Sequence, residues 1–172
     1  MQQANSRMKH YIAAIVLVIA AVIFDQWTKI LAINNLKEQD PFVIWKGVFK
    51  LQYLENRGAA FGIFQNKQFF FIICAIIIFC VAVWFYLKVP MTARFLPLRL
   101  CAVFVCAGGI GNLIDRLNYN FVVDFFYFEL IDFPIFNVAD IYVTISAFVL
   151  AFLIMFYYKE EELEEVFQHR NR

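Results

Sequence analysis

Long uncharged stretches alternate with shorter polar ones along this chain of 172 residues. A helix needs about 20 predominantly apolar residues to cross the hydrocarbon core of a bilayer, and four stretches approach that length. The predicted spans are residues 11–33, 69–88, 97–116 and 137–158. Hydropathy alone therefore predicts four transmembrane helices.

The first of these stretches has a second interpretation. Its apolar part, 11–24, follows Arg7 and Lys9, as in a secretory signal peptide. However, no small-x-small cleavage pattern comes after it. Asp25 and Lys29 follow instead, within a sequence that soon becomes apolar again. We therefore predict an uncleaved membrane helix.

Basic residues indicate an orientation, because Lys and Arg in short loops stay on the cytoplasmic side. Arg7 and Lys9 precede the first span, and Lys88, Arg94 and Arg99 lie between the second and third. These two groups fall on one side if the spans alternate. We expect both termini in the cytoplasm, and the connections after the first and third spans outside.

The two outer connections differ in pattern. In the first, residues 40–68, Phe49, Leu51 and Tyr53 alternate with polar residues after a Lys-Gly turn, which predicts a β-hairpin. The second, residues 117–136, is rich in aromatic and β-branched side chains and suits a segment among lipid headgroups. The expected fold class is a mainly α membrane protein with a small antiparallel β sheet and an interfacial segment on its outer face.

The whole chain, residues 1–172, is predicted to form a single membrane domain. Residues 159–172 carry many charges and predict a solvated helical extension in the cytoplasm. The cysteines lie within apolar stretches and lack CxxC spacing, so we expect small buried side chains and no redox or metal role. They are Cys74, Cys80, Cys101 and Cys106.

Composition excludes several function classes. The residues AVILMFWYC make up 63% of the chain, 17% are charged, and the net charge is +1. Such a chain lacks the basic surface that a nucleic acid partner requires. The histidines are His10 and His169 and the serines Ser6 and Ser146, so neither a Ser-His hydrolase nor an HExxH zinc site can be assembled. We expect no metal and no cofactor.

Polar residues are predicted to collect at one end of the bundle. Alternation of the spans places seven of them together: Asp25, Lys29, Asn112, Asp115, Arg116, Asn137 and Asp140. An ionisable group at membrane depth costs about 2.5 to 3.5 kcal/mol on insertion scales. A cluster at one depth therefore indicates a functional site, which Asp124 can join from the neighbouring outer connection.

Two local pairs have structural interpretations. Asp25 and Lys29 are spaced i, i+4, which favours a partly buried ion pair that holds the first helix in place. Asp115 and Arg116 are adjacent, and the carboxylate either orients the arginine or takes part in the site.

Asp124 and Asp140 differ from these pairs because neither has a cation within four residues. Their carboxylates can therefore interact with each other or with water. Two carboxylates in a partly desolvated site share one proton near neutral pH. The ionised group can then take a proton from water while the protonated group donates to a scissile carbonyl. The pair therefore predicts an aspartic protease mechanism.

Five ordered motifs resemble those of the signal peptidase II family, bacterial inner-membrane aspartic proteases that act on lipoprotein precursors. They are Asp25-Gln-Trp-Thr-Lys29, Asn56-Arg-Gly-Ala-Ala-Phe-Gly62, Gly111-Asn-Leu-Ile-Asp-Arg116, Val122-Val-Asp-Phe125 and Phe136-Asn-Val-Ala-Asp140. The family usually has glycine where this chain has Asn120. Asn tolerates the left-handed conformation, so we expect the turn to be retained with little loss of activity.

The resemblance implies specific roles. Asp124 and Asp140 would be the catalytic dyad, and Asp25, Lys29 and Asp115 would support it. The residues implied to bind or position the substrate are Asn56, Gly58, Asn112, Arg116 and Asn137. The implied substrate is a diacylglyceryl-modified prolipoprotein, cleaved before its lipid-bearing cysteine. Membrane lipid is the other expected partner, and we expect a monomer.

Two other function classes fit a membrane protein with buried carboxylates. A proton-coupled transporter would use them as a relay, but such a relay needs groups through both leaflets, and here they gather at one face. A non-enzymatic assembly factor would need no dyad.

Overall fold

Four helices in this computed structural model are long and apolar enough to cross a membrane, counting only the residues that it describes. Those residues are 2–58 and 67–168, with side chains for 7–58 and 67–166. The four helices are α1 (Gln2–Leu36), α2 (Gln68–Lys88), α3 (Leu96–Tyr119) and α4 (Val138–Phe152), which a π-helical turn (Leu153–Tyr157) continues. The predicted set of four spanning helices is confirmed, and α1 extends beyond both predicted bounds.

Helix α3 is the centre of the bundle, because α1, α2 and α4 all pack against it. Small residues on its surface allow the close approach of α4. A Cβ atom on Gly108 would overlap the carbonyl oxygen of Ala139 and lie 2.7 Å from Cγ2 of Val143. The neighbouring Gly109 has open space at the same position. Gly108 thus sets the distance between α3 and the start of α4.

These two glycines give a matched pair of substitutions. Gly108→Ala is expected to destabilise the protein by about 1 to 3 kcal/mol, because the added methyl group overpacks the α3–α4 contact. Gly109→Ala is expected to be neutral or stabilising by up to about 1 kcal/mol, since Ala favours the helix. Thermal unfolding in detergent measures both. A Gly108→Ala protein that unfolds no earlier than Gly109→Ala would contradict this packing.

The strands form one antiparallel sheet in the order β1–β2–β3. They are β1 (Phe42–Trp45), β2 (Phe49–Asn56) and β3 (Val122–Tyr127), with a short 3-10 turn (Glu129–Ile131) after the last. The predicted hairpin is confirmed as β1 and β2. The interpretation of the whole 117–136 segment as interfacial was wrong, because β3 pairs with β2 and residues 122–125 are buried.

The alternation of side chains in β3 decides where its carboxylate points. Val123 and Phe125 pack against Ala32 of α1 and Val138 of α4. Since successive residues of a strand face opposite sides, Asp124 lies on the other face. Its side chain is 1% exposed. The hydrophobic contacts of its two neighbours therefore fix the position of this carboxylate.

The turn between α3 and β3 keeps the expected geometry. Asn120 ends α3 with φ 61°, in the left-handed region, and its N–H donates to the carbonyl of Arg116 at 3.1 Å. The prediction that Asn replaces glycine here without loss of the turn is confirmed.

The charged tail is helical as predicted, but it is not solvated on all sides. The chain turns at Tyr158, and α5 (Glu160–Gln168) folds back on the bundle. Val166 is 1% exposed and belongs to a hydrophobic cluster with Leu98. Arg94 pairs with Glu162 at 2.8 Å. An amphipathic pattern in α5 supplies the apolar residues for this docking.

Two further predictions at this end need correction. Arg99 is not a loop charge, because it lies within α3, is 3% exposed and donates to the carbonyls of Pro90 and Thr92. The four cysteines are free as expected, and two of them, Cys101 and Cys106, are buried. Cys74 is half-buried and Cys80 is exposed, because apolar residues of a membrane helix also face lipid.

Candidate active site

Asp124 and Asp140 line one cavity of about 490 Å³. It lies between the ends of α3 and β2, the strand β3 and the start of α4. All five residues expected to bind or position substrate contribute to the site, and four of them line this cavity with the two aspartates: Asn56, Gly58, Asn112 and Arg116. Residues distant in sequence are thus brought together as the topology predicts.

Asn137, the fifth, lies beneath the cavity and caps α4. Its side-chain oxygen accepts from the N–H of Asp140 at 3.0 Å, and the Asp140 carboxylate accepts from the N–H of Asn137 at 3.2 Å. This reciprocal arrangement is a capping box. It fixes the carboxylate of Asp140 at the first turn of the helix.

Asp124 is held by two amide groups. Asn137 donates to one carboxylate oxygen at 2.6 Å and Asn56 to the other at 2.8 Å. Burial, and then the negative charge of Asp140, raise the pKa of Asp124 to about 7. Desolvation penalises the charged form of a carboxylate. Asp124 can therefore carry a proton at neutral pH.

Asn112 connects this dyad to the helices below. Its amide nitrogen donates to Asp140 at 2.8 Å. Its oxygen accepts from Nζ of Lys29 at 2.9 Å and from the side chain of Asn137 at 3.1 Å. The ammonium group of Lys29 needs the oxygen of the Asn112 amide as its acceptor. The NH₂ group of the amide therefore faces Asp140, where the carboxylate needs a donor.

Lys29 is the centre of a buried ion cluster. Its Nζ lies 2.9 Å from Oδ2 of Asp25 and 3.0 Å from Oδ2 of Asp115, and the three side chains are at most 2% exposed. The predicted Asp25–Lys29 pair is confirmed. Of the two alternatives for Asp115, the structure favours a part in the site over orientation of Arg116, because Asp115 points inward to Lys29 and Gln26.

The same cluster holds the backbone beside each aspartate of the dyad. Oδ1 of Asp25 accepts from the N–H of Ala139 at 2.9 Å, and Oδ2 of Asp115 accepts from the N–H of Val123 at 3.0 Å. Each of these residues directly precedes a member of the dyad in sequence. Hydrogen bonds to a charged acceptor are strong, so the ion cluster fixes the relative position of α4 and β3.

Arg116 and Gly58 line the same cavity as the dyad. Arg116 donates to the carbonyl of Asn112 at 3.2 Å, and its guanidinium lies 5.0 Å from the ring centroid of Phe71. The N–H of Gly58 donates to Oδ1 of Asn56 at 3.0 Å, which orients the Asn56 amide toward the dyad. The rest of that motif, residues 59–62, lies outside the described residues.

Sequence reasoning missed two components. Gln26 donates to Asp115 at 2.9 Å and to the carbonyl of Gly111 at 3.1 Å, and so joins α1 to α3. Its position inside the first motif could have indicated this role. The other component is an apolar wall of the cavity, formed by Phe71, Phe133, Pro134, Ile135, Phe136, Ile141 and Ile145. Among so many apolar residues, no sequence signal distinguishes these.

Comparisons with known proteins agree with this architecture. The family model described as signal peptidase (SPase) II matches residues 17–156. The chain belongs to the signal peptidase II family. It is therefore an aspartic-type peptidase, and with its four apolar helices it is a multi-pass protein of the bacterial inner membrane.

The similarity to individual relatives covers most of the chain. It is 39% identical to a lipoprotein signal peptidase of Streptococcus thermophilus (strain CNRZ 1066), covering 87% of this chain and 95% of that one. The lipoprotein signal peptidase of Clostridium tetani is 40% identical, covering 88% and 96%. A solved bacterial membrane enzyme, studied in meso at 2.3 Å resolution, matches with a TM-score of 0.75 and 32% identity, covering 86% and 92%.

These findings confirm the family, the fold class and the hydrolase activity expected from the motifs. Neither the transporter nor the assembly factor gains support from them.

Proposed function

We propose that this protein removes the signal peptide from diacylglyceryl-modified prolipoproteins by cleaving the bond before the lipid-bearing cysteine, with Asp124 and Asp140 as the catalytic dyad. The observation that carries the proposal is one cavity in which both carboxylates meet, beside an apolar wall. The names of the relatives, lipoprotein signal peptidases, support the substrate class.

Asp124 is the acid of this mechanism and Asp140 the base. Burial beside another carboxylate keeps a proton on Asp124 near neutral pH. Asp140 accepts a proton from water, and the hydroxide attacks the scissile carbonyl while Asp124 donates to its oxygen. When the tetrahedral intermediate collapses, Asp124 takes its proton back from that oxygen, and the proton that Asp140 gained passes to the leaving amine. The amides of Asn56, Asn112 and Asn137 hold the two carboxylates in place.

The apolar wall supports a lipid-modified substrate. It continues along α4 from Asp140 past Ile141 to Ile145. At 1.5 Å per residue this is about 7 Å of apolar surface beyond the dyad. Acyl chains attached to the cysteine can lie there, which leaves the peptide bond at the polar end. Arg116 and Asn56 flank that end and can bind the substrate backbone.

The enzyme acts as a single-domain monomer, with the dyad at the outer membrane surface and both termini in the cytoplasm. All five motifs of the site lie in one chain, which supports a monomer. The orientation rests on Arg7, Lys9 and Lys88, which lie at the opposite end of the bundle from the dyad.

Cleavage in detergent tests the substrate. The purified protein is expected to cleave a prolipoprotein that carries the diacylglyceryl group at least about 100-fold faster than the same precursor without it. Burying four methylene groups of the acyl chains against the apolar wall contributes about 3 kcal/mol. This free energy corresponds to a factor of about 100 in kcat/KM. The comparison of kcat/KM for the two precursors uses one sequence and differs only in the lipid.

Equal cleavage of both forms would remove the lipid from the recognition of substrate. A soluble peptide spanning the cleavage site serves as a further control and is expected to remain uncut. Because no gradient exists in detergent, turnover there also separates a hydrolase from a transporter.

A further inference from the structure

Arg116 lies beside the dyad, but within the described residues no ion pair joins it to either aspartate. The negative charges of Asp140, Asp124 and Asp115 all act on its guanidinium. Its hydrogen bond, at 3.2 Å, goes instead to the carbonyl of Asn112, which is an uncharged acceptor. The attraction of the carboxylates alone therefore does not explain the position of this side chain.

The ring of Phe71 is a second contact of this guanidinium. The distance from the guanidinium carbon of Arg116 to the ring centroid is 5.0 Å. A cation within about 6 Å of a ring centroid is attracted by the negative face of the ring. Arginine suits such stacking because its guanidinium is planar and weakly hydrated. Phe71 of α2 and the Asn112 carbonyl of α3 therefore hold the guanidinium from two helices.

The first turn of α2 places Phe71 at the dyad cavity. Among the described residues of α2, Phe71 alone lines this cavity, whereas Phe69 is 77% exposed. The N–H of Phe71 donates to the carbonyl of Lys67 at 3.3 Å. The ring centroids of Phe70 and Phe71 are 5.6 Å apart, in an edge-to-face arrangement. The backbone and the neighbouring ring thus both fix Phe71 opposite Arg116.

We propose that Phe71 is a positioning residue for Arg116, because its ring keeps the guanidinium apart from Asp140. A guanidinium has five N–H donors, and those not bound to the Asn112 carbonyl can then bind a backbone carbonyl of the substrate. Without the ring, Arg116 relaxes toward Asp140, and the substrate must break that ion pair before it binds. The inference rests on the proposed function, in which Arg116 binds the substrate backbone.

A simple apolar contact with the substrate is the alternative role of Phe71, because its ring is also part of the apolar wall. Phe133 provides the comparison. It lines the same cavity, and its ring packs against that of Phe136 with the centroids 5.7 Å apart. The two residues are of one type in one cavity, and the cation–π contact of Arg116 is with Phe71.

A double-mutant cycle with Arg116 tests the proposal on the purified protein, with a diacylglyceryl-modified precursor as substrate. Phe71→Leu is expected to raise KM about tenfold and to leave kcat within about threefold of wild type, since the dyad is unaltered. In the Arg116→Gln background the same substitution is expected to change KM less than about twofold, because no guanidinium remains to be positioned. Phe71→Tyr keeps the ring face and is expected to keep KM within about threefold of wild type.

Phe133→Leu is the matched control for the apolar role. It is expected to change KM by the same factor with and without the arginine, because it does not act through Arg116. An unchanged KM for Phe71→Leu, an equal rise in both backgrounds, or a Phe71→Tyr protein as impaired as Phe71→Leu would overturn the inference and leave the proposed function intact. Failure of the wild type to cleave the precursor would instead refute the proposed function, and the inference with it.

Discussion

Asp124→Asn and Asp140→Asn are each expected to lower kcat/KM for prolipoprotein cleavage by about 1,000-fold or more, to the limit of detection. Loss of one positioned acid or base typically costs 100- to 10,000-fold. Each substitution preserves the side-chain shape and removes the ability to exchange a proton. Cleavage of a lipid-modified precursor in detergent measures the loss, and thermal unfolding shows that the variants remain folded.

Asp132→Asn is the matched control for these variants. Asp132 follows β3 in sequence, is exposed, and accepts from the hydroxyl of Tyr127 at 2.6 Å. We expect its replacement to leave kcat/KM within a few-fold of wild type. Near-normal turnover by either dyad variant would show that the dyad assignment is wrong.

The same dyad predicts a pH dependence. Because the pKa of Asp124 is about 7, kcat/KM is expected to fall as the pH rises through about 7 and the shared proton is lost. Between about pH 4 and 7 native Asp124 binds a proton that the unfolded chain releases. The free energy of unfolding therefore falls with rising pH over this interval, and Asp124→Asn should remove that contribution.

Lys29→Met is expected to destabilise the protein by about 3 to 5 kcal/mol, because it leaves two buried carboxylates without their cation. Asp25 and Asp115 are 0% and 1% exposed and have no access to water. The expected shift in the midpoint of thermal unfolding is on the order of 10 °C. Activity should fall as well, because both carboxylates hold backbone beside the dyad.

A surface lysine provides the comparison. Lys37 pairs with Glu55 at 3.2 Å and is 42% exposed, so Lys37→Met is expected to cost less than about 1 kcal/mol. The triple variant Asp25→Asn, Lys29→Met, Asp115→Asn removes both charge types and is expected to recover part of the stability. Equal unfolding midpoints for Lys29→Met and Lys37→Met would contradict the buried cluster.

Several features of the site could be predicted from short sequence patterns. The spacing of Asp25 and Lys29 predicts their ion pair, which forms within one helix. The pattern Asn137-x-x-Asp140 places both side chains at a helix start, where they form the capping box. Asn120 adopts the left-handed turn that its residue type permits. In each case the interacting groups lie within four residues, so local geometry determines the contact.

Other features depend on contacts between distant segments. Asp115 is adjacent to Arg116 in sequence, yet it binds Lys29 from α1, because the inward face of α3 meets a buried cation there. The sequence of β3 is typical of an interfacial segment, but in the structure β3 pairs with β2 and becomes part of the sheet. The charges of the tail indicate solvent exposure, but Val166 packs into an apolar cluster that also includes Val89, Leu98 and Leu153.

The sequence by itself determined the four spanning helices, the family and the identity of the candidate dyad, because apolar length and ordered motifs are properties of neighbouring residues. Only the tertiary structure decided which polar groups meet and which apolar residues line the dyad cavity. Those outcomes depend on packing between helices, and a composition rich in apolar residues throughout gives no local signal of which side chains face protein and which face lipid.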